Sequence, residues 1–210
     1  MHLCLSLLKR EFHIIGIDNL DNYYSVDLKK VRLKQLLIFN NFKFINLNIS
    51  DKVALREVFK KFHPEKVINL AAQPSVQYSI ENPDKYINSN IVGFMNILEE
   101  CRHSKVLGLI YASSSSVYGD INDSLLSESN NNCNPISIYG VTKRSNELMA
   151  STYSNLFNLH TTGLRFFSVY GPWGRPDMAI YNFTDKIFKG LPITLYNNGN
   201  LKRDFTYISD

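Results

Sequence analysis

The sequence is short of several things, and each shortage removes a class of protein. Its three cysteines, Cys4, Cys101 and Cys133, lie far apart and without C-x-x-C spacing. That excludes a disulfide framework and a thiolate metal site, and it predicts reduced thiols in a cytoplasmic protein with no bound metal. No apolar run approaches the roughly 18 residues needed to span a bilayer. In the first ten residues the basic side chains follow the apolar stretch, the reverse of a secretory leader, so a helix is expected there. Net charge is only +4, and Lys and Arg form no dense block. Lys29, Lys30, Arg32 and Lys34, like Lys60 and Lys61, are spaced as solvated helix faces, which argues against nucleic acid as a partner. None of the ten glycines falls in a GxxGxxG pattern, so these residues offer no glycine loop for a pyrophosphate.

What is present describes an ordinary globular chain, 44% hydrophobic and 20% charged. The opening stretch MHLCLSLLKREFHIIGIDNL has helix-like Leu3, Leu5, Leu7 and Leu8, then a β-type run ending on Asp18. This is the second half of a βαβ unit, entered after its first strand. Strands are expected over 12–18, 42–47, 66–71, 106–113 and 161–168. Between them, Ser50 is a candidate N-cap before a helix carrying Leu55, Val58, Phe59 and Phe62 at i, i+3, i+4, i+7. A second helix is expected after Pro83 through Leu98, and a third from Tyr139 to about Phe157. Apolar strands separated by helices predict an α/β fold with a doubly wound parallel sheet, whose ligands bind at the strands' carboxyl ends. The pattern loosens after about Pro172, which divides the chain into 1–171 and the start of a smaller lobe at 172–210. The only compositionally biased stretch is an Asn/Ser loop at 127–134.

The polar clusters stand where such strands end. Tyr139 and Lys143 are spaced i, i+4, so on a helix the ammonium shares a face with the phenol. Bringing a phenol from its ordinary pKa of about 10 to 7 takes roughly 4 kcal/mol. One cation at about 4 Å with an effective dielectric near 20 supplies about that much. A surface tyrosine above a lysine would show the same spacing, so context decides. The 106–113 strand runs into SSSSVYG, whose hydroxyls can bond a substrate oxygen that is losing its proton. NLAAQ ends another strand with small residues, which let a ligand approach the backbone. A carboxylate at the end of a strand, as at Asp18, can take both hydroxyls of a ribose.

Taken in order, Asp18, NLAAQ, SSSSVYG and YGVTK resemble the extended short-chain dehydrogenase/reductase family, and within it the NAD-dependent nucleotide-sugar epimerases. The longer segments YSIENPDKYINSNIVGFMNILEECR, LRFFSVYGPWGRPDMA and KRDFTYISD carry the same likeness. The resemblance implies a Rossmann-like fold, NAD as cofactor, a UDP-sugar substrate and a homodimer when full length. It implies C4 epimerisation, in its narrowest form of UDP-glucuronate to UDP-galacturonate. Tyr139 would be the base and Lys143 its partner on the nicotinamide ribose, with Ser114 sharing the hydrogen bond and Ser115 or Ser116 the alternatives that could face the sugar. Asp18 would hold the adenosine ribose and Asn48 would stand beside the adenine, with Asn19 and Ile49 also binding the cofactor. Leu70, Ala71 and Ala72 would pack along the dinucleotide. Asn90 would lie near the nicotinamide side, and Ser113 and Phe166 would also bind the cofactor. Ser116, Ser168, Arg175 and Arg203 would hold the substrate, with Ser168 and Arg175 pinning a uronate carboxylate and Arg203 meeting the diphosphate. No Asp or Glu occurs in 113–116, which argues against the dehydratase branch. Two alternatives stay open: an epimerase or decarboxylase for another UDP-sugar, and an inactive fragment unable to hold NAD.

Overall fold

The structure is a computed structural model that describes residues 1–120, 125–129, 133–200 and 202–210. Residues 130–132 of the expected Asn/Ser loop lie outside the described residues. The element order alternates as expected: α1 (His2–Leu8), β1 (Ile14–Asp18), α2 (Val26–Leu37), β2 (Phe42–Asn46), α3 (Lys52–Phe62) and β3 (Lys66–Asn69). Then come α4 (Val76–Glu81), α5 (Pro83–Tyr86), a π-helical turn at Ile87–Val92 and α6 (Gly93–His103). The chain continues with β4 (Gly108–Ala112), a 3₁₀ turn at Ser115–Val117, α7 (Ile138–Phe157), β5 (Thr161–Leu164), β6 (Ser168–Tyr170), α8 (Ala179–Phe188) and β7 (Phe205–Tyr207).

The strands form three separate sheets, β1-β2, β3-β4-β5 and β6-β7, with parallel pairing in the last two. Two expectations need correction. The N-cap of α3 is Asp51, not Ser50, because the Asp51 carboxylate reaches the Ala54 amide at 3.0 Å. The strand expected over 161–168 is two strands: β5 ends at Leu164, and Ser168 opens β6 in a different sheet.

The chain divides into two units. One comprises residues 17–19 and 46–166, and its core is built by Leu55 and Phe59 of α3, Phe94, Ile97 and Leu98 of α6, and Leu109 and Tyr111 of β4. These side chains are 0–5% exposed. Gly163 stands opposite Tyr111 in the β4–β5 register, where an added Cβ would come within 2.6 Å of the Tyr111 ring. Glycine is therefore what lets that ring lie over β5. Glu100 is 3% exposed, and its carboxylate is met by Arg56 at 3.2 Å, so a buried charge has its partner. Cys101, also buried in this core, has its thiol pushed up to about 12 by burial and then by Glu100, so it is unreactive.

The other unit comprises residues 1–16, 20–45 and 167–210. Its apolar cluster is Leu8 of α1, Leu36 of α2 and Phe42 of β2, with Met1, Leu5, Ile14 and Leu33 against it. The β6–β7 pair also belongs to this unit, with Tyr170 edge-on to Phe205 and Tyr207.

Candidate active site

The site is organised by α7 lying against the carboxyl end of β4. Ser137 starts α7 cleanly, its side chain accepting from the Gly140 amide at 3.0 Å. That fixes the phase of the helix, so Thr142, Lys143, Asn146 and Ala150 fall on its buried face. Lys143 is 3% exposed, and its Nζ donates to the Ala112 carbonyl at the end of β4, 2.8 Å away. The same ammonium stands 6.0 Å from the Tyr139 ring centroid. Tyr139 is half-buried, with Tyr86 edge-on at 6.3 Å. The i, i+4 expectation is thus met in space.

Burial pushes Lys143 down to about 8, so it keeps its proton at neutral pH by a narrow margin. An ammonium has three N–H groups. Among the described residues this one makes a single hydrogen bond, to Ala112. Two donors remain for hydroxyls of the kind a ribose presents, which is the feature that fits this site to a nicotinamide nucleotide.

The serine run leaves β4 in an ordered turn. The Ser114 hydroxyl accepts from the Ser116 amide at 3.1 Å, which starts the 3₁₀ turn. The Ser115 amide donates to the Phe166 carbonyl at 2.9 Å, tying the turn to the end of β5. Ser113 is 2% exposed, and its hydroxyl donates to Glu147 at 2.6 Å, so that side chain is committed to the protein. Gly119 closes the segment at φ +76 against Asn134.

The other expected cofactor residues all lie in this same unit. Asp18 and Asn19 are exposed at the end of β1. Asn48 uses its side-chain oxygen on the Ser50 amide at 3.1 Å, and Ile49 is 6% exposed within the core. Leu70 and Ala71 are exposed beyond β3, and Phe166 is 40% exposed. Asn90 has a different setting. It sits in the π turn, 1% exposed, and its amide bonds the Gln73 N–H, the Gln73 carbonyl and the Thr142 hydroxyl at 2.8–3.1 Å. Asn146 of α7 donates to the Asn90 carbonyl at 2.7 Å, satisfying a backbone group of the widened turn. Asn90 therefore ties the end of β3 to α7.

Ser116 belongs to the same unit as Tyr139 and Lys143, whereas Ser168, Arg175 and Arg203 belong to the other. There, Ser168 opens β6 and donates its amide to the Asp204 carbonyl at 3.2 Å. Arg175 pairs bidentately with Asp177, at 2.9 and 2.6 Å, and Tyr23 donates to the same carboxylate. Arg203 is exposed, with Nη1 on the Lys202 carbonyl.

Sequence reasoning missed Glu147 and Arg165. Glu147 follows Lys143 by one helical turn, and it accepts from Ser113, from Arg144 at 2.8 Å and from Arg165 at 2.8 and 3.0 Å. Burial pushes its carboxyl up, but the bonds from Arg165, Ser113 and Arg144 outweigh that and hold it below the usual carboxylate range. The available signal was a charge on the same helical face as Tyr139 and Lys143.

Comparison with known proteins agrees with this geometry. The model of a family described as the NAD dependent epimerase/dehydratase family matches residues 1–210. The chain is 55% identical over 209 residues to Protein CapI of Staphylococcus aureus, covering 100% of this chain and 62% of that protein. It is 42% identical over 209 residues to a probable UDP-glucuronate 4-epimerase of Rhizobium meliloti, covering 100% of this chain and 61% of the relative. The structure of UDP-glucuronic acid 4-epimerase from Bacillus cereus, in complex with UDP-glucuronic acid and NAD, superposes with a TM-score of 0.92 at 35% identity. That match covers 99% of this chain and 65% of the other. The chain thus spans less than two thirds of the length of these relatives. Its buried lysine, its strand-end serines and its match over every residue agree: the chain belongs to the NAD dependent epimerase/dehydratase family.

Proposed function

We propose that this chain carries the catalytic turn of an NAD-dependent UDP-sugar 4-epimerase, acting on UDP-glucuronate to give UDP-galacturonate. The observation that carries the reading is Lys143, buried beside Tyr139 with its ammonium at the carboxyl end of β4 and two N–H groups unspent. Tyr139 takes the proton of the sugar C4 hydroxyl, and the strand-end Ser114 shares that hydrogen bond. Lys143 holds the nicotinamide ribose and favours the phenolate by its charge. NAD, held there by Lys143, would supply reversible hydride acceptance at C4, and Tyr139 would return the proton that it took. The family resemblance assigns Ser168 and Arg175 to a uronate carboxylate, and within its own unit the Arg175 guanidinium is already set for a carboxylate, that of Asp177. The family resemblance further proposes residues 172–210 as the start of a substrate lobe, a homodimer and a cytoplasmic location.

The test is to incubate the 210-residue protein with NAD and UDP-glucuronate and follow the C4 proton by NMR. UDP-galacturonate is expected to accumulate, and Tyr139→Phe to abolish it while NAD still binds. A second reading has its own observations: no GxxGxxG occurs in the chain, and its Rossmann-type strands fall in two sheets, β1-β2 and β3-β4-β5. On that reading the chain holds no pyrophosphate, and a fluorescence titration with NAD shows no saturable binding.

A further inference from the structure

The carboxyl end of β4 is held by α7 at two successive points. The Ala112 carbonyl receives Lys143 Nζ at 2.8 Å, and the next residue, Ser113, gives its hydroxyl to Glu147 at 2.6 Å. Lys143 and Glu147 are one helical turn apart on the same face. Only the second point is anchored further. Glu147 receives both Nε and Nη2 of Arg165, at 2.8 and 3.0 Å, from just beyond the end of β5. Arg144 on the same helix supplies another bond at 2.8 Å. Arg165 in turn lies over the Tyr118 ring, 4.7 Å from its centroid, at the far end of the serine run. The Ser113 amide donates to the Leu164 carbonyl at 2.8 Å and the Ser115 amide to Phe166 at 2.9 Å, so the two strand ends are also stitched by backbone.

The two points differ in what a ligand does to them. A ribose takes the two unspent N–H groups of Lys143, so the first point is shared with the ligand when the site is used. The second is closed to a ligand: Ser113 is 2% exposed, and the Glu147 side chain is 12% exposed and carries four hydrogen bonds.

We propose that Glu147, braced by Arg165 and reaching Ser113, is the positioning residue of this site, keeping Ser114 and the Lys143 turn in register while Lys143 takes up a ligand. Glu147 touches neither substrate nor cofactor in this role. It acts through the β4 end that it grips. The proposal rests on the epimerase reading of Tyr139 and Lys143.

Two variants test it. Ser113→Ala removes only the grip and leaves the Glu147–Arg165 pair, and Glu147→Gln removes the charge that holds Arg165. The kinetics of UDP-glucuronate epimerisation and the melting temperature are measured for both, with Ser113→Thr as the conservative rescue. The expected result is a fall of about tenfold or more in kcat, KM within about twofold, a displaced alkaline limb of the pH profile and recovery in Ser113→Thr. Folded variants with wild-type kcat and an unmoved pH profile overturn the proposal. If wild-type protein shows no epimerisation, the enzyme reading fails first. The inference is then read from hydrogen exchange at the Ser113 and Ser115 amides, which bond the Leu164 and Phe166 carbonyls. Glu147→Gln is expected to speed exchange of both by about tenfold or more, and unchanged protection in a folded variant overturns the inference.

Discussion

Lys143 shows what a single residue costs and contributes here. Its folded pKa of about 8 lies below the ordinary 10.5, because burial disfavours the ammonium. Between those two values the unfolded chain binds the proton and the folded chain does not, so Lys143 makes stability rise with pH across about 8 to 10.5, a rise that Cys101, raised from 9.0 to about 12, opposes above about 9. Below pH 8 the folded protein carries the whole cost of the buried charge, on the order of 3 kcal/mol. Lys143→Met removes that charge at similar volume and forfeits one bond to Ala112, worth about 1 kcal/mol. The variant is expected to be more stable than wild type at about pH 7 by about 1–2 kcal/mol in urea unfolding, to lose the rise above about pH 8, and to be inactive. Equal stability at neutral pH with the rise intact would assign the alkaline step to another group. Tyr139 and Lys143 were legible because four-residue spacing on a helix is a fixed geometric relation. Glu147 and Arg165 were not, because their pairing joins α7 to the end of β5, and no local pattern encodes a contact that only the folded sheet creates.

At the scale of elements, the turn after β4 depends on Gly119. Its φ of +76 is a left-handed backbone, and a Cβ there would stand 1.9 Å from the Asn134 carbonyl oxygen. Gly119→Ala therefore meets both conformational strain and a backbone clash, and the expected loss is at least about 2 kcal/mol with a matching fall in melting temperature. A variant within about 0.5 kcal/mol of wild type would mean that the Ser115–Gly119 turn relaxes freely. The strands β1 to β4 were legible from their apolar runs, each to within a few residues, and α7 from its period, whereas the run over 161–168 hid the break between β5 and β6. The helix expected after Pro83 does begin there, with proline at its first position. The π turn at Ile87–Val92, directly after α5, had no such signal, because its sequence has the pattern of ordinary helix. Its wider hydrogen bonding is stabilised by distant partners, Gln73, Thr142 and Asn146, that a local reading does not contain.

At the scale of the whole molecule, the two units are assembled from the chain in different ways. One is nearly continuous, residues 46–166 with the short piece 17–19. The other collects residues 1–16, 20–45 and 167–210, and its bonds close very long loops. His2 reaches the Pro172 carbonyl over 170 positions, Tyr23 reaches Asp177 over 154, and Arg32 reaches the Gly174 carbonyl over 142. The consequence is one of timing. Contacts distant in sequence form slowly because their loop entropy must be met first, so the continuous unit has the faster route to its native contacts. Pulse-labelled hydrogen exchange during refolding is expected to protect the β4 and α6 amides before those that depend on residues 167–210. Simultaneous protection of both sets would mean that the chain folds as one cooperative body. During synthesis the same asymmetry is absolute, since α1 and α2 precede by more than a hundred residues the segment 167–210 that bonds them. In that interval Leu8, Leu36 and Phe42 can pack with their neighbours in 1–44, but His2, Tyr23 and Arg32 still lack their partners, and the nascent chain is then most exposed to aggregation and proteolysis.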